Sequence, residues 1–182
     1  THEASPDPQS FDFTPCLSGD RIALRPLRVE DFEPLYAAAS DPLIWAQHPF
    51  PLRHLRQEFR SQLWDTAIQD NGALVVIDNA SGAVIGSSRY YDWKPDTGEV
   101  TIGFTFLVRS HWGDGTNAEL KRLMLQHAFR WAKRAWFHVG TQNLRSRRAM
   151  EKIGALHSHD APVETCGKVY LYAHYRMDAP GE

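Results

Sequence analysis

The chain has 182 residues, of which 42% are hydrophobic and 23% charged, and its formal net charge is −2. This length and composition predict a single globular domain with its own core, and they exclude a disordered chain. The balanced charge gives no general attraction to nucleic acid or acidic membranes, and no apolar run approaches the roughly 20 residues that span a bilayer.

The elements predicted for the first part of the chain begin with a loose arm at residues 1–16, which are rich in proline and small polar residues. Residues 17–182 are then one domain. Hydrophobic periodicity and turn residues predict, in chain order, a strand at 21–27, a helix at 29–39, a loop at 42–51, a helix at 54–69, and strands at 73–77, 84–93 and 99–108.

The second part of the chain predicts a long helix at 117–136, a strand at 137–141, a helix at 143–154 and two closing strands near 156–159 and 168–177. The fold class predicted from this order is α/β (α+β), with a mixed, mostly antiparallel sheet flanked by helices.

The two cysteines, Cys16 and Cys166, are far apart and belong to no C-x-x-C motif. This favours a reducing compartment and unpaired thiols, and the N-terminal segment does not have the pattern of a secretory signal. We therefore expect a cytoplasmic protein. The roles of the thiols and the oligomeric state stay open, and a homodimer is one option.

A glycine-bearing turn at residues 112–117 connects the strand ending at Val108 to the long helix. Gly113 and Gly115 would let backbone amides approach an anion, and the first N–H groups of a helix have no partner within it. The turn therefore favours a phosphate site. The alternative is a turn without a ligand, because glycine often separates a strand from a helix.

The second motif lies about thirty residues further on, where Asn143 can cap a helix that Gly154 ends. One face of this helix carries Ser146, Ala149, Met150 and Ile153. The hydroxyl on this otherwise apolar stripe is explained either by a bond to the carbonyl of Gln142, by close packing or by a functional role.

Together the two motifs resemble the signature of the Gcn5-related N-acetyltransferase (GNAT) superfamily, in its RimJ/RimL-like branch. Residues 112–117 take the place of the family's Q/R-x-x-G-x-G/A pyrophosphate loop, and residues 143–155 that of its N-x-x-S/A helix. The likeness covers about residues 17–177. Trp112 replaces the usual Gln or Arg and Asn117 the last Gly or Ala, and both replacements occur within that branch.

The resemblance implies an acetyl-CoA-dependent N-acetyltransferase that acts on a primary amine, of a small molecule or a protein N-terminus, by direct attack in a ternary complex. It also implies two central strands that splay apart beside the pantetheine arm. The residues then expected to bind coenzyme A are Phe106, Leu107, Val108, Trp112, Gly113, Asp114, Gly115, Thr116, Asn117, Asn143, Ser146 and Arg148.

Catalytic residues are less clearly implied. Many relatives have a tyrosine acid where this chain has Met150, and the branch instead suggests Ser146. Glu99 is the candidate base. The alternative is that Glu99 is a solvent-facing residue next to the turn at Gly98, with no catalytic role. Four aromatic residues are expected to line the acceptor pocket, with core packing as the alternative: Trp45, Tyr90, Tyr91 and Trp93.

The absence of a tyrosine at Met150 leaves open a catalytically silent acyl-CoA-binding sensor or partner module on the same fold. A nucleic-acid-binding module is disfavoured, because the arginines at 145–148 form only a small cluster in a chain of negative net charge. We expect no metal site, since His157 and His159 lack an evident third ligand. The identity of the amine acceptor cannot be read from the sequence.

Overall fold

The computed structural model describes residue 7 and residues 10–181. The rest of the predicted arm, residues 1–6, 8 and 9, and residue 182 lie outside the described residues. Within the arm, Phe11 is buried, and its ring centroid lies 4.9 Å from that of Trp93 and 5.1 Å from that of Trp131. This differs from the expectation of a loose arm, because the apolar ring of Phe11 fills a place in the core.

The described residues form one sheet of eight strands and five α-helices. The strands are β1 Leu17–Ser18, β2 Ile22–Pro26, β3 Ala73–Asp78, β4 Val84–Lys94, β5 Glu99–Leu107, β6 Arg134–Gly140, β7 Leu156–Thr165 and β8 Lys168–Asp178. The helices are α1 Phe32–Ala39, α2 Arg56–Phe59, α3 Asp65–Asp70, α4 Thr116–Ala128 and α5 Leu144–Lys152, with a π-helical turn at Arg60–Trp64 that joins α2 to α3.

The strand order in the sheet is β1-β2-β3-β4-β5-β6-β8-β7. Neighbouring strands are antiparallel except β5 and β6, which run parallel because α4 forms the crossover between them. The predicted fold class, a mixed and mostly antiparallel sheet flanked by helices, is confirmed.

Helices cover both faces of the sheet, so there are two hydrophobic cores. Leu74 and Val76 of β3 join the core formed with α4 and α5, whereas Val75 between them joins the core formed with α1, α2 and α3. This follows from the alternation of side chains along a strand. A cleft that opens in the middle of the sheet is therefore enclosed by helices on either side.

Helix α4 ends at Ala128, whereas the sequence predicted a helix as far as residue 136. The chain turns there, and the amide of Lys133 donates to the carbonyl of Gly98, 2.7 Å away, which starts β6 beside β5. Apolar residues between 129 and 137 suit a helix and a strand equally, so periodicity did not locate the boundary. None of the helices in residues 10–181 has the length and apolarity that crossing a membrane requires.

The closing hairpin is longer than predicted, since β7 continues to Thr165 rather than ending near residue 159. Its turn places Cys166 at φ 54° and Gly167 at φ 75°, which is the backbone of a tight hairpin turn. Both cysteines of the chain are exposed thiols.

Candidate active site

Strands β5 and β6 part soon after they begin. Their pairing joins Glu99–Thr101 to residues 134–136 and ends there. Just beyond it, the register of β5 with β4 shifts, and Phe104 adopts a φ of 52°, which is rare for a large side chain. A cavity of about 520 Å³ opens between the parted strands. The predicted splaying is therefore confirmed.

The glycine loop borders this cavity at the start of α4. Gly113 has φ 75° and Gly115 has φ 92°, and Gly115 caps the helix. The backbone amides of Gly113, Gly115 and Asn117 donate no hydrogen bond to any of the described residues, and all three residues line the cavity. Three free donors at the start of a thirteen-residue helix suit a diphosphate.

Two of the loop residues expected to bind the cofactor do not line the cavity, Asp114 and Thr116. The amide of Thr116 donates to Oδ1 of Asp114 at 2.9 Å, so this donor is already used. Oδ2 of Asp114 lies 3.2 Å from Nδ1 of His111. The two residues therefore shape the loop, and a carboxylate directed at the anion would oppose its binding.

The end of β5 offers fewer backbone contacts than expected. The amide of Val108 donates to the carbonyl of Ile85 in β4 at 2.9 Å, and Val108 does not line the cavity. Successive residues of a strand direct their amides to opposite edges, so Phe106 also faces β4 and Leu107 faces the gap. The carbonyl of Leu107 accepts from Nε1 of Trp112 at 2.9 Å. Of the backbone groups predicted to bind the pantetheine arm, the amide of Leu107 remains.

Helix α5 borders the opposite side of the cavity. Asn143 is buried, and its Oδ1 accepts from the amide of Ser146 at 3.4 Å, as expected of an N-cap. The hydroxyl of Ser146 forms no hydrogen bond within the described residues, so the bond to Gln142 is not made. Asn143, Ser146 and Arg148 all line the cavity, which leaves the Ser146 hydroxyl available to a ligand.

Trp112 and Arg145 connect the two motifs. The Arg145 guanidinium lies 3.7 Å from the ring centroid of Trp112. The backbone amide of Arg145 donates to Oε1 of Gln47 at 3.1 Å. Both residues line the cavity. The side chain of Trp112 therefore contributes as much to the site as its backbone, which the loop pattern alone did not predict.

Only two of the four aromatic residues expected in the acceptor pocket lie there, Trp45 and Tyr91. Tyr90 is buried on the other face of the sheet, where its hydroxyl donates to the carbonyl of Met124 at 2.6 Å. Trp93 packs on Phe11 in the same core. Alternation of side chains on β4 separates Tyr91 from Tyr90. Trp93 joins the face of Tyr90 because the strand is irregular at Asp92, which has φ 56° and lies where the register with β5 shifts.

Glu99 does not reach the cavity. It lies at the paired end of β5, where its Oε1 accepts from Nε1 of Trp136 at 3.0 Å and lies 4.0 Å from Arg134. Hydrogen bonds from the side chains of Thr97 and Trp136 lower the pKa of its carboxyl. The prediction of Glu99 as the base is therefore wrong in its geometry, and the structural alternative describes its place.

The loop predicted at residues 42–51 lies over the gap and covers the cavity. Trp45 donates from Nε1 to the carbonyl of Ala39 at 2.9 Å, and its ring lies 5.3 Å from that of Phe106 in β5. On the β6 side, a Cβ at Gly140 would lie 2.5 Å from Pro49, so only glycine permits this approach. The loop thus spans both parted strands.

Several cavity residues were missed by the sequence analysis: His48, Arg53, Lys121, His138 and Tyr172. The ionisable residues that line the cavity, within the described part of the chain, include no aspartate or glutamate. Burial lowers the pKa of His48 to about 3 and that of His138 to about 4, so both imidazoles are neutral at pH 7. The lining thus offers neutral imidazoles and no carboxylate.

Lys121 is the buried amine of this cavity. It is 3% exposed, and its Nζ donates to Oγ1 of Thr105 at 3.0 Å. Burial lowers its pKa to about 7. Its position four residues after Asn117 on α4 places it on the cavity side of the helix, a signal that its charged character obscured in the sequence.

A comparison with family models matches residues 21–156 to the acetyltransferase (GNAT) domain. No match was found among curated proteins.

Solved structures with a similar fold are numerous. A GCN5-related N-acetyltransferase from Brucella melitensis has a TM-score of 0.76 and 24% identity, with 91% of this chain and 79% of that chain covered. A Vibrio cholerae protein with the provisional assignment of ribosomal-protein-serine acetyltransferase has a TM-score of 0.72 and 14% identity, with 90% of this chain and 97% of that chain covered. Spermidine N-acetyltransferase from the same organism, in complex with CoA and spermine, has a TM-score of 0.64 and 18% identity, with 88% of this chain and 96% of that chain covered. At these identities the likeness concerns the fold.

Proposed function

The chain belongs to the GNAT acetyltransferase family, and from this premise we propose that it transfers the acetyl group of acetyl-CoA to a primary amine. The observation that carries the proposal is a single cavity that extends from the free amides of the glycine loop to the gap between β5 and β6. Such a cavity can hold a phosphorylated carrier at one end and an acyl acceptor at the other.

Family members use acetyl-CoA, and the residues present fit it. The amides of Gly113, Gly115 and Asn117 would hold the diphosphate, Arg145 adds positive charge beside Trp112 of the same loop, and Arg148 adds positive charge elsewhere in the lining. The amide of Leu107, directed into the gap, would contact the carrier arm. Bound acetyl-CoA supplies a thioester whose carbonyl carbon an amine can attack.

Direct attack within a ternary complex is supported by the absence of a cysteine nucleophile. Neither Cys16 nor Cys166 belongs to the lining of the cavity. A backbone amide in the gap can stabilise negative charge on the acyl oxygen, and the free hydroxyl of Ser146 can donate to the departing sulfur. A hydroxyl is a weak acid, so we assign Ser146 to orienting or relaying the proton.

We propose His138 as the acceptor of the amine's proton. It is a neutral imidazole in the cavity, on β6 where the strands have parted. The ring of His174 lies 4.2 Å from it, and the exposed His159 lies 4.6 Å beyond His174. Imidazole rings thus form a continuous cluster from the cavity to the surface.

Two finer assignments belong to the same proposal. The RimJ/RimL-like branch is supported by the fold likeness to the Vibrio cholerae protein assigned to ribosomal-protein serine acetylation. A cytoplasmic location is supported by two exposed cysteines in the thiol form, which a reducing compartment preserves. The homodimer stays a prediction.

The experiment that tests the proposal measures thiol release from acetyl-CoA with a panel of primary amines, beside calorimetric titration of acetyl-CoA. Tight binding together with amine-dependent release supports acetyl transfer. Tight binding with no thiol release above the rate of hydrolysis would favour the silent acyl-CoA binder. The lack of activity would then be explained by Met150, which stands where many relatives have a tyrosine acid. The absence of binding would overturn the cofactor site itself.

A further inference from the structure

Arg53 is a buried guanidinium in the lining of the cavity. It is 2% exposed, and it belongs to the loop that covers the gap, together with Trp45. It lies 4.9 Å from the ring centroid of Phe50 and 5.8 Å from that of Phe104, the residue at the bulge of β5. Arg53 therefore faces the part of the cavity where the strands begin to separate.

No carboxylate of the described residues lies within ion-pair distance of Arg53. Its Nε donates to Oε1 of Gln62 at 3.2 Å, and its other polar neighbours include the thiol of Cys166 and the hydroxyl of Tyr172. An arginine stays protonated in proteins, and a buried charge without a counter-ion is costly. The aromatic rings around it offset only part of that cost.

A second buried arginine shows what a structural role looks like in this fold. Arg89 is 4% exposed, and its guanidinium donates to Oγ1 of Thr66 at 3.0 Å and to the carbonyl of Leu63 at 2.8 Å. It packs 3.9 Å from the ring centroid of Phe104 and does not line the cavity. The chain itself pairs the terminal donors of Arg89 with oxygen atoms, whereas Arg53, beyond Gln62, has the Cys166 thiol and the Tyr172 hydroxyl beside it and lines the cavity.

The phosphates of the carrier do not account for Arg53. In the proposed complex the phosphates are bound by the glycine loop and by Arg145, which stacks on Trp112. Trp112 bonds to Leu107, whereas Arg53 packs beside Phe104, and three residues of strand separate these points by about 10 Å. The second substrate is then a source of a counter-ion for Arg53.

We infer that the acceptor is a small primary amine that also carries an anionic group, a carboxylate or a phosphonate, and that Arg53 binds this group. This inference rests on the proposed acetyl transfer. A guanidinium can bind either anion through two parallel hydrogen bonds, which fixes the orientation of the amine. The lack of carboxylates in the lining also disfavours polycationic acceptors.

The test compares matched amines in the thiol-release assay: glycine with glycinamide, β-alanine with its amide, aminomethylphosphonate, and spermidine. We expect the acids to exceed their amides at least tenfold in kcat/KM. Arg53→Met should abolish that preference by raising the KM of the acids, and Arg53→Lys should restore part of it. Arg56→Met is the matched control, because Arg56 is an exposed partner of Glu33 at 2.6 Å and lies outside the cavity.

Thermal unfolding and acetyl-CoA titration of each variant separate a loss of fold from a loss of acceptor binding. If amides or spermidine are preferred and Arg53→Met leaves that order unchanged, the inference is overturned while acetyl transfer stands. If no amine releases thiol, calorimetry with glycine and with aminomethylphosphonate in the presence of CoA decides the matter. Binding that Arg53→Met removes would keep the anion site, and the absence of binding would overturn it together with the proposed function.

Discussion

Arg145 stacks on Trp112, with its guanidinium carbon 3.7 Å from the ring centroid, although the two residues belong to motifs 33 positions apart. The same indole donates from Nε1 to the carbonyl of Leu107 at 2.9 Å. One side chain therefore joins the end of β5, the glycine loop and the start of α5, which are the three elements that border the cavity.

Replacing Trp112 should weaken acetyl-CoA binding in two steps. Trp112→Phe keeps a ring for Arg145 but loses the hydrogen bond, which contributes about 1 kcal/mol, so we expect an affinity several-fold lower. Trp112→Ala also loses the cation–π contact, so we expect its affinity for acetyl-CoA to be lower by about tenfold or more in total. Calorimetric titration measures both. Trp131→Phe is the control, because Nε1 of Trp131 has no hydrogen-bond partner within the described residues, and an equal loss in that variant would contradict this account.

Gly115→Glu should abolish acetyl-CoA binding. A side chain at φ 92° costs about 1–2 kcal/mol of backbone strain, and a carboxylate would stand where the diphosphate binds. Gly82→Glu is a matched control, since Gly82 has φ 72°, is surrounded by open space and does not line the cavity. Both variants should lose similar stability in denaturant, but only the first should lose affinity. Unchanged affinity for Gly115→Glu would remove the loop from the cofactor site.

Local features of this fold could be predicted from the sequence, because their cause lies within a few residues. Gly113 and Gly115 adopt positive φ as the turn requires, and Asn143 caps α5 through the amide of Ser146. Side-chain alternation puts Tyr90 and Tyr91 on opposite faces, although both were expected in the acceptor pocket. It does not say which of the two faces the cavity, because helices cover both faces of the sheet.

Features that depend on distant partners could not be predicted. The place of Glu99 is set by the indole of Trp136, 37 residues away, and the end of α4 by the pairing of β6 with β5. Arg53 belongs to an irregular loop whose sequence has no period, so nothing local indicates its burial. The site is formed by this loop folding over the parted strands, which is a tertiary event.

Ser146→Ala should keep the fold and the affinity for acetyl-CoA but slow turnover. The hydroxyl makes no hydrogen bond with the described residues, so its loss leaves no partner unsatisfied in the free protein. A positioned acid or base contributes about 10²–10⁴-fold, and a hydroxyl is a weak acid, so we expect a kcat at the low end, about a hundredfold lower. Ser61→Ala, on the exposed π-helical turn, is the control. A wild-type rate in Ser146→Ala would make Ser146 a packing residue.

Lys121 should make stability depend on pH in an unusual direction. Burial lowers its pKa in the folded chain to about 7, whereas the unfolded value is about 10.4. Between these values the unfolded chain binds a proton that the folded chain does not. The free energy of unfolding should therefore rise with pH, by about 1.4 kcal/mol per pH unit from this lysine alone. Below about pH 7 the amine is protonated in both states, and the whole cost of burying the charge remains.

Lys121→Met should remove this dependence, because its side chain fills a similar volume without a charge. We expect the variant to exceed the wild type in stability at pH 7, and the difference to shrink as the pH approaches 10. Denaturant unfolding at pH 7, 8 and 9 measures it, and subtracting the two curves cancels the other titrating groups. Lys133→Met, at an exposed lysine, should keep the wild-type slope. If Lys121→Met keeps it as well, the amine of Lys121 is solvated in the folded protein and its burial does not govern its charge.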